Sequence, residues 1–338
     1  MADTEIVCAN RECRIAQSGK CIEGHDDLSI CPFYGRVPEE IDDEQDDDDQ
    51  DAVDAFDGVH LPDALPLDRG GTDKIIAKLP ARMIGVIGGH DAGKTSVIAG
   101  LYDLFQLGPV SNNIFAGSST LHGFESICHD ARAASERNEP HSERTKRGEV
   151  RFYHIDVRRN DALQSLLIAD RSGEEYEEVA DLAANATDMF ELRRADVITI
   201  LVDGRRLASP SDRADVMGSI PLIIMGMVEN GAFLRKPSLA IVLTKDDAVQ
   251  ASTRKERVEQ DFRAIAKGVQ DEFADHFGEF GSFVTCASPA DTNVVRGAGL
   301  DKLLDFWMKP TAQPKATRIH HRNGRVFDGL AIKETSDG

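Results

Sequence analysis

Short apolar runs alternate with stretches of helical spacing over the larger part of this chain. Arg82–Ile87 (RMIGVI) is the first such run, and Ser96–Leu107 (SVIAGLYDLFQL) follows it with apolar residues at helical intervals. Further strands are predicted at Glu149–Val157, Gln164–Asp170, Asp196–Asp203, Ser238–Thr244 and Ser282–Cys286. Helices are predicted at Ala180–Arg194, Ser211–Glu229, Thr253–Phe277 and Leu300–Met308. Apolar strands separated by amphipathic helices imply a sheet covered on both faces. The expected fold class is therefore α/β. It comprises a mostly parallel six-stranded sheet with helices on both faces over residues 81–309, and a small Cys-rich segment at the N-terminus.

Charge separates this body from what precedes it. The 338 residues carry a net charge of −20, yet twelve Asp or Glu and no Lys or Arg lie between Glu39 and Asp57. The rest of the chain carries only about −8. So acidic a run cannot bury enough apolar surface to fold, and it reads as a disordered tether. The Pro/Gly/Asp-rich stretch GVHLPDALPLDRGGTD continues it, so residues 38–80 are expected to be linker and the folded body to start near Lys78. Residues 310–338 form a tail with a small basic island, His320 to Arg325. The acidity argues against nucleic acid as a partner. Met1 to Asn10 lacks the apolar core of a secretory signal, and the apolar stretch Ile220–Val228 is far shorter than the ~20 residues a bilayer span needs. A soluble, cytoplasmic chain is expected.

Four of the six cysteines, Cys8, Cys13, Cys21 and Cys31, fall within residues 1–37, spaced C-x4-C-x7-C-x9-C. Four thiolates in a segment too short for a core suggest a zinc knuckle. A redox-sensing cluster and cysteines without a shared role are the rival readings, because no tight C-x2-C pair is present. Cys128 and Cys286 stand apart and read as buried thiols.

Gly88 to Thr95 (GGHDAGKT) fits G-x-x-x-x-G-K-[ST] at every fixed position, between a predicted strand and a predicted helix. Such glycines let backbone N–H groups curl around phosphate oxygens, and the helix start adds its dipole. Gly88, Asp91, Ala92, Gly93, Lys94, Thr95 and Ser96 are the candidate phosphate-binding residues. Lys94 supplies a point charge to the β- and γ-phosphates, and the Thr95 hydroxyl a ligand for Mg²⁺.

Three further strand ends add to it. Asp170 closes an apolar strand and Gly173 follows in D-x-x-G, so that Asp170 can hold Mg²⁺ through water and the Gly173 N–H can meet a γ-phosphate. Thr244-Lys245-Asp246-Asp247 fits [NT]-K-x-D, in which the Asp247 carboxylate takes the two donors of guanine and the Lys245 stem lies along the ring. Thr stands where Asn is usual, which predicts weaker loop bracing. Thr285-Cys286-Ala287-Ser288 can present the Ala287 N–H to the guanine O6.

In this order, the four elements resemble a Ras-like small GTPase of the phosphate-loop class, over about Arg82 to Met308. The long segment between the first helix and the second strand, with the run Asp170-Arg-Ser-Gly-Glu174, is more narrowly similar to the bacterial double-GTPase group, which is associated with multi-gene conflict or defence systems. The resemblance implies a switch threonine for Mg²⁺; Thr145 and Thr120 are the candidates. It also implies a water-orienting residue after the D-x-x-G glycine, usually Gln. Here that position is Glu174, which either orients the water or leaves hydrolysis slow. Arg144 is either a finger acting in cis on the transferring phosphate or a solvent-facing side chain.

The function expected is a GTP/GDP-binding, Mg²⁺-dependent switch that hydrolyses GTP slowly through Lys94 and Glu174 and docks a protein effector or regulator. A non-hydrolysing guanine-nucleotide scaffold and an ATP-using phosphate-loop enzyme are the alternatives.

Overall fold

The computed structural model describes residues 28–30, 34, 64–131, 148–181, 189–289 and 294–310. The chain divides into two compact units, Met1–Leu61 and Pro62–Gly338. Of the first, the described part is a single 3-10 turn, Leu28–Ile30, with Tyr34. Cys8, Cys13, Cys21 and Cys31 lie outside the described residues, as do Arg144, Thr145 and the basic island.

The second unit is built on a seven-stranded sheet. Its strands are β1 (Ala81–Ile87), β2 (Ile114–Gly117), β3 (Val150–Arg159), β4 (Ala162–Arg171), β5 (Val197–Asp203), β6 (Ser238–Thr244) and β7 (Phe280–Val284), in the order β2-β3-β4-β1-β5-β6-β7. β4, β1, β5, β6 and β7 run parallel, whereas β2 and β3 are antiparallel to their neighbours.

The expectation of six strands is corrected to seven in a mixed sheet. β3 and β4 are joined through Asn160 and Asp161, both at positive φ (47° and 63°). A two-residue turn of that hand makes a hairpin, and a parallel pair would need a crossover of a dozen residues or more. The added strand, β2, is a four-residue edge strand inside the long segment after the first helix.

Side chains alternate across the central strands and so divide the core in two. Ile84 and Val86 of β1, Val197 and Leu201 of β5, and Ala240 and Val242 of β6 join one cluster. Its helices are α2 (Lys94–Leu107), α3 (Leu121–Ala131) and α10 (Leu300–Trp307). Ile198, Ile200 and Val202 of β5 and Leu239, Ile241 and Leu243 of β6 face the other cluster. That side is covered by α4 (Gly173–Asp181), α7 (Arg213–Glu229) and α9 (Lys255–Phe273). Short helices complete the set: α1 (Arg69–Ile76), α5 (Phe190–Arg193), α6 (Gly204–Ala208) and α8 (Asp246–Ala251). All seven residues of β5 and of β6 are buried, as doubly covered strands require.

Three local readings change. Residues 64–80, read as linker, belong to the folded body. The Asp68 side chain caps α1 by accepting the Gly71 N–H at 2.7 Å, and Leu67 exchanges backbone hydrogen bonds with Phe152. Capping and packing of Leu67 and Ile75 against Met83 and Phe152 offset the poor helix propensity of Gly70 and Gly71. Of the helix expected at Ala180–Arg194, residues 182–188 lie outside the described residues; a helix not expected, α4, begins at Gly173, where Glu174 and Glu175 favour the positive end of its dipole, and α5 covers Phe190–Arg193. The described part of the long insertion packs on α2: Phe124 of α3 stacks on Tyr102, with ring centroids 4.7 Å apart, and Tyr153 packs on Phe124 at 5.1 Å.

Candidate functional site

The phosphate-loop residues join β1 to α2 in a tight turn. Asp91 and Gly93 take positive φ (57° and 94°), and Gly93 is the residue from which α2 starts. Lys94 is buried and folds back into the turn, its Nζ donating to the carbonyls of Gly88 and Gly89 at 2.9 and 3.1 Å. Burial pulls its pKa down, while the carboxylates of Asp170, Glu177 and Asp91 act to raise it. A buried ammonium surrounded by three carboxylates is held ready for a more highly charged anion.

Asp170 is the penultimate residue of β4, next to β1 in the sheet, and is almost fully buried. Its Oδ2 accepts the Thr95 hydroxyl at 3.0 Å, so the two residues expected to share Mg²⁺ touch. Gly173 comes closer still. A Cβ there would lie 2.5 Å from the Gly89 carbonyl oxygen and 2.7 Å from the His90 nitrogen. Only glycine allows the first turn of α4 to lie on the loop in this way.

That seating brings in a residue the sequence reading missed. Glu177, one helical turn after Gly173, places Oε1 3.0 Å from the His90 backbone nitrogen and accepts its hydrogen. Arg206 of α6 approaches the same oxygen at 3.7 Å. Glu174 is half-buried in the first turn of α4. The i, i+4 spacing from Gly173 to Glu177 was the available signal.

The elements expected to read the base meet the same loop from the other side. Thr244, last in β6, has its hydroxyl 2.9 Å from the Ala92 carbonyl and 3.3 Å from that of Val202. The bracing expected to be weak is therefore made by threonine. Lys245, at φ 55°, donates to Asp91 at 3.1 Å and to Asp203 at 2.9 Å. Asp203, also missed, ends β5 and caps α6 by accepting the Arg205 and Arg206 N–H groups. Its sequence signal was a carboxylate closing an apolar strand, as at Asp170.

Asp247 lies half-buried in the first turn of α8. The Cys286 thiol hydrogen-bonds both its backbone and its carboxylate. Burial first, then the neighbouring Asp247 charge, pushes the Cys286 pKa up to about 12, so this thiol stays protonated and can donate. Ala287 is buried against α2, its carbonyl oxygen 3.2 Å from where a Cβ on Gly100 would be. Cys128 and Cys286 are buried thiols outside any disulfide, as expected.

Thr120 does not reach this group. Its hydroxyl accepts the His154 N–H at 2.9 Å and is fully buried at the start of α3. Among the described residues, no group of three or more His, Cys, Asp or Glu side chains forms a metal site, and no helix is long and apolar enough to cross a membrane.

The loops following β1, β4, β6 and β7 thus converge at the carboxyl ends of parallel strands, where open α/β sheets bind ligands. A family model described as Double-GTPase 2 matches residues 82–308, more than half of the chain. The chain belongs to the Double-GTPase 2 family. The matched range begins at β1 and ends just after α10, so it takes in the whole sheet and every loop of the site. Among curated proteins, none matches the chain. Double-GTPase 2 membership carries the name of a GTPase domain and, with it, a guanine nucleotide as the implied ligand.

Proposed function

We propose that this Double-GTPase 2 domain is a guanine-nucleotide switch that binds GTP with Mg²⁺, hydrolyses it slowly, and couples its state to a protein partner. The observation that carries this reading is the Thr244–Ala92 hydrogen bond of 2.9 Å. It ties the [NT]-K-x-D loop to the phosphate loop, so one ligand can be read at both ends.

In this reading the triphosphate lies along the Gly88–Thr95 backbone, and the Lys94 ammonium leaves the Gly88 and Gly89 carbonyls for the β- and γ-phosphates. Mg²⁺ fits the donor set of the Thr95 hydroxyl and the Asp170 carboxylate, hard oxygen ligands of the kind it prefers, and would neutralise phosphate charge there. Asp247, held by the Cys286 thiol, takes the guanine donors, and Ala287 offers its N–H to O6. The γ-phosphate replaces the Glu177 carboxylate at the His90 N–H. Glu174, next to the glycine seated on the loop, orients the attacking water. A carboxylate is a poorer choice than an amide for holding water beside a phosphate anion, which accounts for slow turnover. Loss of the γ-phosphate lets Glu177 return, and α4 reports the change.

Steady-state phosphate release tests the hydrolytic half of this reading. Turnover that falls with Glu174→Ala while GTP affinity holds supports it. Tight GTP binding with no phosphate released replaces it with the scaffold reading, which the carboxylates of Glu174 and Glu177 beside the loop would favour.

A further inference from the structure

At the opposite end of the sheet from the phosphate loop, an open cavity of about 970 Å³ lies against the amino-terminal ends of the parallel strands. Ala81 and Arg82 of β1, Asp196 before β5, and Ser238 of β6 contribute to its wall. β1 is seven residues long, so about 20 Å of strand separates this cavity from the phosphate loop. Its volume falls in the range of small-molecule sites.

One side chain there is out of keeping with a structural role. Arg82 is 5% exposed, and its Nη1 donates to the Lys309 carbonyl. Its Nε and Nη2 have no hydrogen-bond partner. A buried guanidinium with donors unmet is costly, and natural proteins leave few such groups without a reason. The Asp196 carboxylate is turned to other partners. Asp196 already accepts the Met83 N–H at 3.0 Å and faces Arg235 at 3.6 Å. Glu279 is engaged by Lys309. Lys236, exposed on the same wall, forms no ion pair among the described residues.

Arg82 thus lines the cavity, with Lys236 and Arg235 at its rim, between apolar surfaces from Pro80, Leu234 and Met308. We propose that it is a second binding site, distinct from the nucleotide site, for a ligand with a carboxylate or phosphate on an apolar body. The oxyanion takes the Nε and Nη2 edge of Arg82, which is closed to solvent here and which a rotation of the side chain turns into the cavity, in the paired-donor geometry guanidinium offers such groups. The apolar body covers Leu234 and Met308.

Calorimetric titration of the full chain with phenyl phosphate and with benzoate tests this, using wild type, Lys94→Ala, Arg82→Met, and the double variant Arg235→Ser/Lys236→Ser. The expected result is saturable binding of at least one probe that persists in Lys94→Ala and weakens about tenfold or more in Arg82→Met, as loss of a charge-assisted pair implies. Whether the phosphate or the carboxylate probe binds tells which oxyanion the site takes. No saturable binding of either probe overturns the proposal, as does binding that vanishes in Lys94→Ala or survives unchanged in Arg82→Met. Should Arg82→Met fail to fold, the double variant decides, because both of its side chains are exposed. Weakening of about fivefold supports the site, and no change overturns it.

Discussion

The Glu177 carboxylate accepts the His90 backbone N–H at 3.0 Å, so an anion from α4 rests on the phosphate loop. Gly173 makes this possible, since any Cβ there would strike the Gly89–His90 peptide and lift α4 away. The carboxylate is partly exposed and shared with Arg206, so its hold on the loop is modest. In the proposed function a triphosphate brings more charge to the same N–H and displaces it.

Glu177→Ala is therefore expected to tighten nucleotide binding. Removing a partly exposed charge-assisted contact of about 1 kcal/mol predicts a gain of roughly fivefold for GTP. GDP, which lacks the γ-phosphate, should gain less. Equilibrium titration with a fluorescent GTP analogue measures both. Unchanged or weaker GTP affinity would show that Glu177 does not compete with the nucleotide.

Behind the loop, Arg171 is clamped by Glu191 through two hydrogen bonds of 2.8 and 3.0 Å, and both side chains are buried. Burial opposes the Arg171 charge, but the Glu191 carboxylate outweighs it and raises the pKa. Glu191→Ala takes from a buried cation the carboxylate that clamps it, and should cost about 3 to 5 kcal/mol. Arg171→Met with Glu191→Leu should recover part of that loss, because two apolar side chains replace the fully buried pair while Glu175 loses its partner. Urea denaturation of the two variants checks the pair. A double variant no more stable than the single would contradict this account.

His154 provides a pH test. Its ring is buried, accepts the Ser119 N–H at Nδ1 (3.0 Å), and lies 3.1 Å from Asp156 through Nε2. Burial lowers its pKa below 6.5 despite the Asp156 carboxylate, which acts to raise it. Below about pH 6.5 the unfolded chain then binds a proton that the folded chain refuses. Stability contributed by the neutral ring is complete above that pH and is lost as pH falls towards the folded pKa. The slope is at most about 1.4 kcal/mol per pH unit. His154→Gln should reduce this slope in denaturation measured between pH 7 and pH 5. An unchanged slope would assign the pH dependence to other groups.

The Thr244 hydroxyl bridges two loops that bind opposite ends of the proposed ligand. Thr244→Val keeps the shape and removes the bond, and is expected to weaken GTP binding by roughly fivefold, about 1 kcal/mol. Thr244→Ser should stay near wild type. Equal affinities for the Val and Ser variants would mean that the bridge does not position the site.

How far the site was legible in the sequence depended on the range of each contact. Lys94, Asp170, Gly173 and Asp247 stand at fixed offsets from strand ends, so local pattern locates them. Glu177, Asp203 and Arg82 draw their roles from partners far along the chain, so the helical spacing at Glu177 and the strand end at Asp203 hint at a site without naming what each touches. The core strands were clear because burial on both faces leaves an unbroken apolar run. β2 was missed because a four-residue edge strand, IFAG, buries little and shows almost no period. The capped helix α1 was missed because its two glycines read as linker while Asp68 and Leu67 hold it in place.

The central claim is guanine selectivity, and competition binding of GTP against ATP with Mg²⁺, in wild type and Asp247→Ala, tests it most directly. A carboxylate taking two guanine donors predicts a GTP preference of about a hundredfold or more, with most of it lost in Asp247→Ala and ATP affinity little changed. Equal affinity for the two nucleotides in wild type, or an undiminished GTP preference in Asp247→Ala, would contradict the account.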